Sequence, residues 1–334
     1  MESASLKLAQ GFAKDAQKAS KGGWFSKPDW AIAAQYLDKA ATAYKSARHY
    51  DEAVNCYTQA SEAYIQMNVI HLAASCMENA AKLSEAHLKD HAKAITNYMR
   101  ASDLYRSYGS AADKAAVMME KAAKVCEDID TDRAIQLYDN ALSIYENEDR
   151  GRFGVETFKR TIQYMLDKGR VLEAVSMQLR LAAVCEQVNN RLELNRSYLS
   201  VIAMLLAFGD SVEAGKRLDE FGQDVAFIRT KEAEAAERLV QAYNDGDQDE
   251  YASIAGSLPV TSLDAVISRL TAKTRIPGAR RPEPKATNSS AMQTGLTSSE
   301  KQAAFGGEHS GGSDRAAAAA APPFDDGDDD DDLL

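Results

Sequence analysis

Large and small apolar residues alternate along this chain on a helical period that itself repeats. Tyr57 with Ala60, Tyr98 with Ala101 and Tyr138 with Ala141 form Tyr-x-x-Ala pairs at steps of 41 and 40 residues. A second aromatic residue follows seven positions on, at Tyr64, Tyr105 and Tyr145, so large and small side chains share one helical face. Stepping by about twenty residues finds a matching anchor each time: Tyr36, Tyr57, Met77, Tyr98, Met118, Tyr138, Phe158, Gln178, Tyr198 and Leu218. The unit is therefore one helix per twenty residues or so, and two helices make a hairpin of about forty. Ala53, Ala94, Ala134, Ala174 and Ala214 recur on the longer period in alternate helices, where a small side chain lets a neighbouring helix come close. Asn68, Gly109, Gly169, Asn189 and Gly209 stand eleven positions after an anchor and are the residue types that tolerate the left-handed conformation closing a helix.

This pattern predicts an all-α protein: a tetratricopeptide-like α-solenoid, a twisted right-handed sheet of antiparallel helix hairpins. Its period exceeds the ~34 residues of an ordinary tetratricopeptide hairpin, and the Trp-x-x-Leu-Gly signature of that motif is missing. From Phe221 the beat loosens, and Lys231–Tyr243, Asp247–Ala255 and Ser262–Thr274 read as three closing helices with Asp247 and Ser262 as N-caps. The expected organisation is a solenoid over 1–220 with an aromatic loop at 22–28, a C-terminal helical bundle over 221–275, and a disordered linker and acidic tail over 276–334.

Composition sharpens this division. All seven prolines lie at Pro28, Pro259 or in the stretch from Pro277 to Pro323, leaving Asp29 to Leu258 without a helix breaker. The net charge of −11 is concentrated in the tail, where Ile276 to Leu334 carries five bases against eleven acids. So acidic a chain is not expected to bind nucleic acid. Cys56, Cys76, Cys126 and Cys185 are far apart, with no Cys-x-x-Cys pair, and read as reduced core thiols. The longest apolar run, Val201 to Phe208, is far short of the ~20 residues of a membrane span, and Met1 to Gln10 has no secretory h-region. A soluble cytoplasmic protein is the expectation.

Little in the chain suggests catalysis, for it contains no Gly-x-Ser-x-Gly elbow, no phosphate-cradling Gly-rich loop and no His-Glu-x-x-His. No cofactor is expected. His87 and His91 stand four apart and would share a helical face, but they fall where a turn is due and lack a third ligand, so no metal site is assigned. The aromatic pair Trp24 and Phe25 lies in a Gly-opened loop flanked by Lys21 and Lys27. Such a loop suits a lipid headgroup boundary, or else staples the first helix to the second. The tail ends in five aspartates followed by Leu333 and Leu334, a solvating terminus or a tether for a basic site on another protein.

The stretch Trp24-Phe25-Ser26-Lys27-Pro28-Asp29-Trp30, the segment Asp132-Arg133-Ala134-Ile135-Gln136-Leu137-Tyr138 and the run from Arg238 to Asp247 together resemble the soluble NSF attachment proteins, the gamma type most closely. The acidic ending with its penultimate leucine fits as well. The resemblance implies a non-catalytic adaptor, peripherally associated with endomembranes such as the ER, Golgi and vesicles, that lies along a SNARE four-helix bundle of syntaxin-type proteins. It also implies recruitment of the hexameric AAA ATPase NSF for SNARE disassembly. By the same resemblance Trp24 and Phe25 contact the membrane. Asp245, Asp247 and Asp249 face the ATPase, and Leu333, followed by Leu334, stimulates it. The SNARE-contact candidates come from the repeat instead: Lys121, Lys124, Lys159, Arg160 and Arg196 lie in the alternate helices and could form a stripe against an acidic bundle, although Glu120, Glu127 and Glu156 share that layer. The alternative is a generic helical-repeat scaffold, such as a cochaperone or a subunit of a larger complex.

Overall fold

The computed structural model describes residues 4–21, 27–147 and 151–279, all within the compact unit Met1–Glu283. Ten helices of the repeat follow one another: α1 (Ala4–Lys21), α2 (Trp30–Ser46), α3 (Tyr50–Gln66), α4 (Ile70–Leu83), α5 (His91–Ser107), α6 (Ala112–Cys126), α7 (Thr131–Asn147), α8 (Gly151–Asp167), α9 (Val171–Gln187) and α10 (Arg191–Phe208). Each packs chiefly on its neighbour in sequence. The chain closes with α11 (Ser211–Phe221), α12 (Lys231–Asp245), α13 (Gln248–Ala255), the single turn α14 (Leu258–Thr261) and α15 (Ala265–Lys273). The described residues hold no strand, and the fold is an all-α helical solenoid.

The turns explain the twenty-residue beat. Asn68, Gly109, Gly169, Asn189 and Gly209 all take positive φ, between 56° and 95°. In most of these turns the next residue donates its N–H to the carbonyl five positions back, as Val69 does to Tyr64 at 2.9 Å and Asn190 to Cys185 at 2.8 Å. That bond satisfies a carbonyl the helix end would otherwise leave open. The same residue then starts the following helix, so one turn consumes about three residues. Arg48 and Lys89 adopt the left-handed conformation too, despite side chains that disfavour it. Before Lys89 the helix widens into a π-helical turn at Ser84–Leu88.

Inside, Ala53, Ala94, Ala134, Ala174 and Ala214 are completely buried, and so are the rings of Tyr98, Tyr138 and Phe158. The alanines let adjacent helices approach, and the rings fill the space between them. From α8 onward one continuous apolar core runs through α10 and the closing helices to Ile276. α10 is its axis: Val201 to Leu206 are all buried, enclosed by α9, α11, α12 and α15. Packing continues past α15, where the Ile276 N–H donates to Gln248 Oε1 at 2.9 Å.

One expected cap is corrected. Asp247 caps α13, accepting from the Glu250 N–H at 2.9 Å, but Ser262 does not begin the last helix. Pro259, compatible with a first helical turn, lies in the first turn of α14, ahead of Ser262. Ser262 terminates that turn, and α15 starts after Asp264.

Candidate partner-binding site

Successive antiparallel helices place even-numbered and odd-numbered members in two layers, and side-chain contacts two helices apart tie each layer together. In the even layer Lys121 of α6 reaches Glu78 of α4 at 3.4 Å, Arg160 of α8 reaches Glu120 of α6 at 3.3 Å, and Lys159 of α8 reaches Glu193 of α10 at 3.0 Å. In the odd layer Arg180 of α9 pairs with Glu146 of α7 at 2.6 Å and with Asp139. Arg170, just before α9, pairs with Asp132 of α7 at 2.7 Å.

Tyrosines join the layers. The hydroxyls of Tyr98 and Tyr105 on α5 donate to Glu85 and Glu78 at 2.7 and 3.0 Å, and those of Tyr138 and Tyr145 on α7 donate to Glu127 and Glu120 at 2.5 and 3.1 Å. Each acid pair is spaced seven residues apart, matching the seven-residue spacing of the tyrosines. Burial raises all four phenols above their ordinary pKa, and the adjoining carboxylates raise them further. At Glu78 burial pushes the carboxyl up, but the Lys82 ammonium at 2.8 Å, the Tyr105 hydroxyl and Lys121 outweigh it and hold the group below the usual carboxylate range.

The five basic candidates therefore stand in different states. Lys121, Lys159 and Arg160 are engaged by carboxylates of neighbouring helices. Burial pulls the Lys159 ammonium down, but Glu193, Asp264 and Glu156 together raise it above its ordinary value. Arg196 is half-buried on α10, with its Nε lacking a hydrogen-bond partner. Lys124 is exposed, with no ion pair among the described residues. The stripe is thus largely a run of ion pairs with one free ammonium.

At the far end, Asp245, Asp247 and Asp249 are all exposed around the turn from α12 to α13. Gly246, at φ 71°, makes that turn possible. Asp247 spends one oxygen on the α13 cap. Arg238 pairs with Glu250 at 2.6 Å beside them, leaving Asp245 and Asp249 as the outward carboxylates. Trp24, Phe25, Leu333 and Leu334 lie outside the described residues.

His87 lies flat on Tyr50 with ring centroids 4.0 Å apart, and His91 begins α5. Among the described residues no cluster of three or more His, Cys, Asp or Glu could hold a metal, and no helix is long and apolar enough to cross a membrane. All four cysteines are free and buried, and burial raises Cys56 and Cys185 to about 11 and Cys76 to about 12, which keeps these thiols protonated.

Sequence reasoning missed the carboxylates that receive the tyrosines. The signal was present: Glu78 to Glu120 and Glu85 to Glu127 repeat at 42 residues. It also missed Arg180, which borders an open groove of about 500 Å³ between α7 and α9, lined by Ile135, Met165 and Met177 among others.

A family model described as "Soluble NSF attachment protein, SNAP" matches residues 7–256. A gamma-soluble NSF attachment protein of Dictyostelium discoideum is 34% identical over 260 residues, covering 78% of this chain and 80% of the relative. One from Arabidopsis thaliana is 29% identical over 245 residues, covering 73% and 84%. The crystal structure of BtubC from P. vanneervenii aligns at 14% identity over 62% of this chain and 93% of that one, with a TM-score of 0.27, too slight a likeness to bear on the fold. The match across the repeat and into the closing helices places this chain in the soluble NSF attachment protein family.

Proposed function

We propose that the chain is a non-catalytic adaptor that binds assembled SNARE complexes at endomembranes from the cytoplasmic side and recruits the hexameric ATPase NSF to take them apart. The observation that carries this reading is the family match over residues 7–256, which spans the repeat and reaches the closing helices. In this reading the ATPase supplies the chemistry, and this chain supplies a rigid surface.

The even layer is the proposed SNARE-facing surface. Lys124 meets an acidic bundle directly, whereas Lys121, Lys159 and Arg160 exchange one carboxylate partner for another on binding. Such exchange yields little net affinity per contact but fixes register, because a misplaced partner leaves charges unpaired. Asp245 and Asp249, with Asp247 beside them, are the proposed contacts to the ATPase, and Leu333 with Leu334 its stimulating end. Trp24 and Phe25 are the proposed lipid contact.

Capture of a purified SNARE four-helix bundle by the full chain, with and without the ATPase, tests the reading. The expected result is salt-sensitive capture of the bundle, and of the ATPase only when the bundle is present, with Lys124→Glu weakening the first step. A chain that captures neither ends the proposal.

A further inference from the structure

Because neighbouring helices are antiparallel, the even helices begin along the same edge at which the odd helices end. Two equivalent positions on that edge repeatedly carry exposed apolar side chains. The residues capping the C-terminal ends of α3, α5 and α9 are Met67, Tyr108 and Val188, and the first turns of α2, α4, α8 and α10 hold Ile32, Leu72, Phe153 and Leu192. These spacings of about forty residues, or twice that where one hairpin contributes no member, follow the repeat, so the row is built by the fold rather than scattered over the surface.

The two edges differ in how acids are placed at their helix starts. A helix start favours acidic residues. On the opposite edge α3, α7, α9 and α11 have acids in their first turns, and α5 and α11 are capped by Asp90 and Asp210. On the apolar edge the first turns of α2, α4 and α8 hold no acid. Asp29 is committed to the Ile32 N–H at 3.0 Å, and Glu193 to Lys159. α6 interrupts the row with Asp113. The opposite edge also exposes Ile129, Leu172, Phe208 and Val212, but only from the end of α6 onward, where Arg170 holds Asp132 and Glu173 and Arg217 holds Glu213. Over the whole repeat exposed apolar side chains therefore do not distinguish the edges, whereas from α2 to α5 the large ones fall on this edge.

From α2 to α5 every helix contributes one member to the row. The His71 ring lies 5.6 Å from that of Tyr108, Arg106 is exposed in the last turn of α5, and Lys21, at the end of α1, and Lys27, just before α2, are exposed at this same edge. The Val69 N–H is already bonded to Tyr64, while α4 starts without a side-chain cap, leaving its first N–H groups available to a headgroup phosphate. We propose that this edge, presenting Ile32, Met67, Leu72 and Tyr108, rests on an anionic lipid surface. Apolar side chains among bases at headgroup depth are the chemistry of interfacial binding. The inference rests on reading the Trp24–Phe25 loop as a lipid contact and extends that contact three helices further.

Leu72→Glu provides the discriminating variant, since an acid in a first turn suits the helix dipole yet is repelled by anionic lipid. With full-length protein and phosphatidylcholine vesicles containing phosphatidylserine, the expected result is an unchanged or raised melting temperature and vesicle binding weakened about fivefold or more. Met67→Ser with Tyr108→Ser should also weaken binding, while Leu172→Ser with Val212→Ser on the opposite edge should not. Parent-like binding by Leu72→Glu overturns the inference, even if Trp24→Ser with Phe25→Ser abolishes binding. If the loop variant binds normally and Leu72→Glu does not, the loop reading fails and the edge stands. Loss of SNARE capture in solution by Leu72→Glu with vesicle binding intact would make the edge a protein surface and also overturns the inference.

Discussion

The repeats from α4 to α7 and the end of the chain from α10 to α15 both bury helix faces, but with different chemistry. In the repeats, buried phenol rings fill the space between layers and their hydroxyls end on carboxylates. At the end, polar bonds give way to an apolar helix: Val201 to Leu206 of α10 are buried on every side. Between these regions the anchor position passes from tyrosine to Gln178, which bonds to Ser197 Oγ at 2.9 Å instead of to a carboxylate. The contrast teaches where each kind of stabilisation is useful. A repeat must match the same neighbour again and again, and directional bonds between named partners fix that register. A terminus must finish the stack, and non-directional burial suffices.

The sharpest way to break the contrast is in α10. Leu199→Ala should cost about 2–5 kcal/mol in denaturant melts, since the side chain is fully buried and the surrounding helices can collapse only partly around the gap. A loss below about 1 kcal/mol would mean that this end is packed more loosely than the repeats.

A smaller effect is expected in the repeats. Tyr138→Phe keeps the buried ring but leaves Glu127 without its hydroxyl donor, and should cost about 1–2 kcal/mol. A double-mutant cycle with Glu127→Gln isolates the bond itself. Negligible coupling would show that the rings, not their hydroxyls, hold the repeats.

The smallest effect depends on pH. The Glu78 carboxyl is held below its ordinary range, so its contribution is fully present above the unfolded carboxylate value of ~4.3 and fades as pH falls through the lower folded value. Glu78→Gln should therefore be less stable than the parent near neutral pH by about 1 kcal/mol or less, with the gap closing in acid. Denaturant melts from neutral to acid pH check this, and a gap that widens on acidification would reverse the assignment.

Much of the scaffold was legible in the residues alone. The Tyr-x-x-Ala beat located the anchors, and the Asn and Gly residues after them marked turns because few other side chains accept positive φ. Arg48 and Lys89 escaped that reading, since they take the same conformation although their side chains disfavour it. Ser262 misled for the opposite reason: it has the chemistry of an N-cap, but Pro259 had already begun a helical turn ahead of it. The site was less legible than the scaffold. Sequence put Lys121, Lys159 and Arg160 in the right layer but could not reveal that Glu78, Glu193 and Glu120 already hold them, because each pair spans more than thirty residues. Composition likewise could not separate the two edges, which differ in which ends of the helices carry acids and exposed apolar side chains.

The three-residue turns have a consequence for how the protein meets proteases. An enzyme that cuts polypeptide needs a length of chain it can pull into extended form, and exposed loop tips usually provide it. Here most described connections hand one helix to the next through a bonded left-handed residue, with the flanking N–H groups already committed to carbonyls. Gly222 to Thr230 is the longest described connection, and even there the Phe227 and Ile228 N–H groups are bonded back to Asp224. Among the described residues, the connections between helices thus offer little loose chain for such an enzyme to seize.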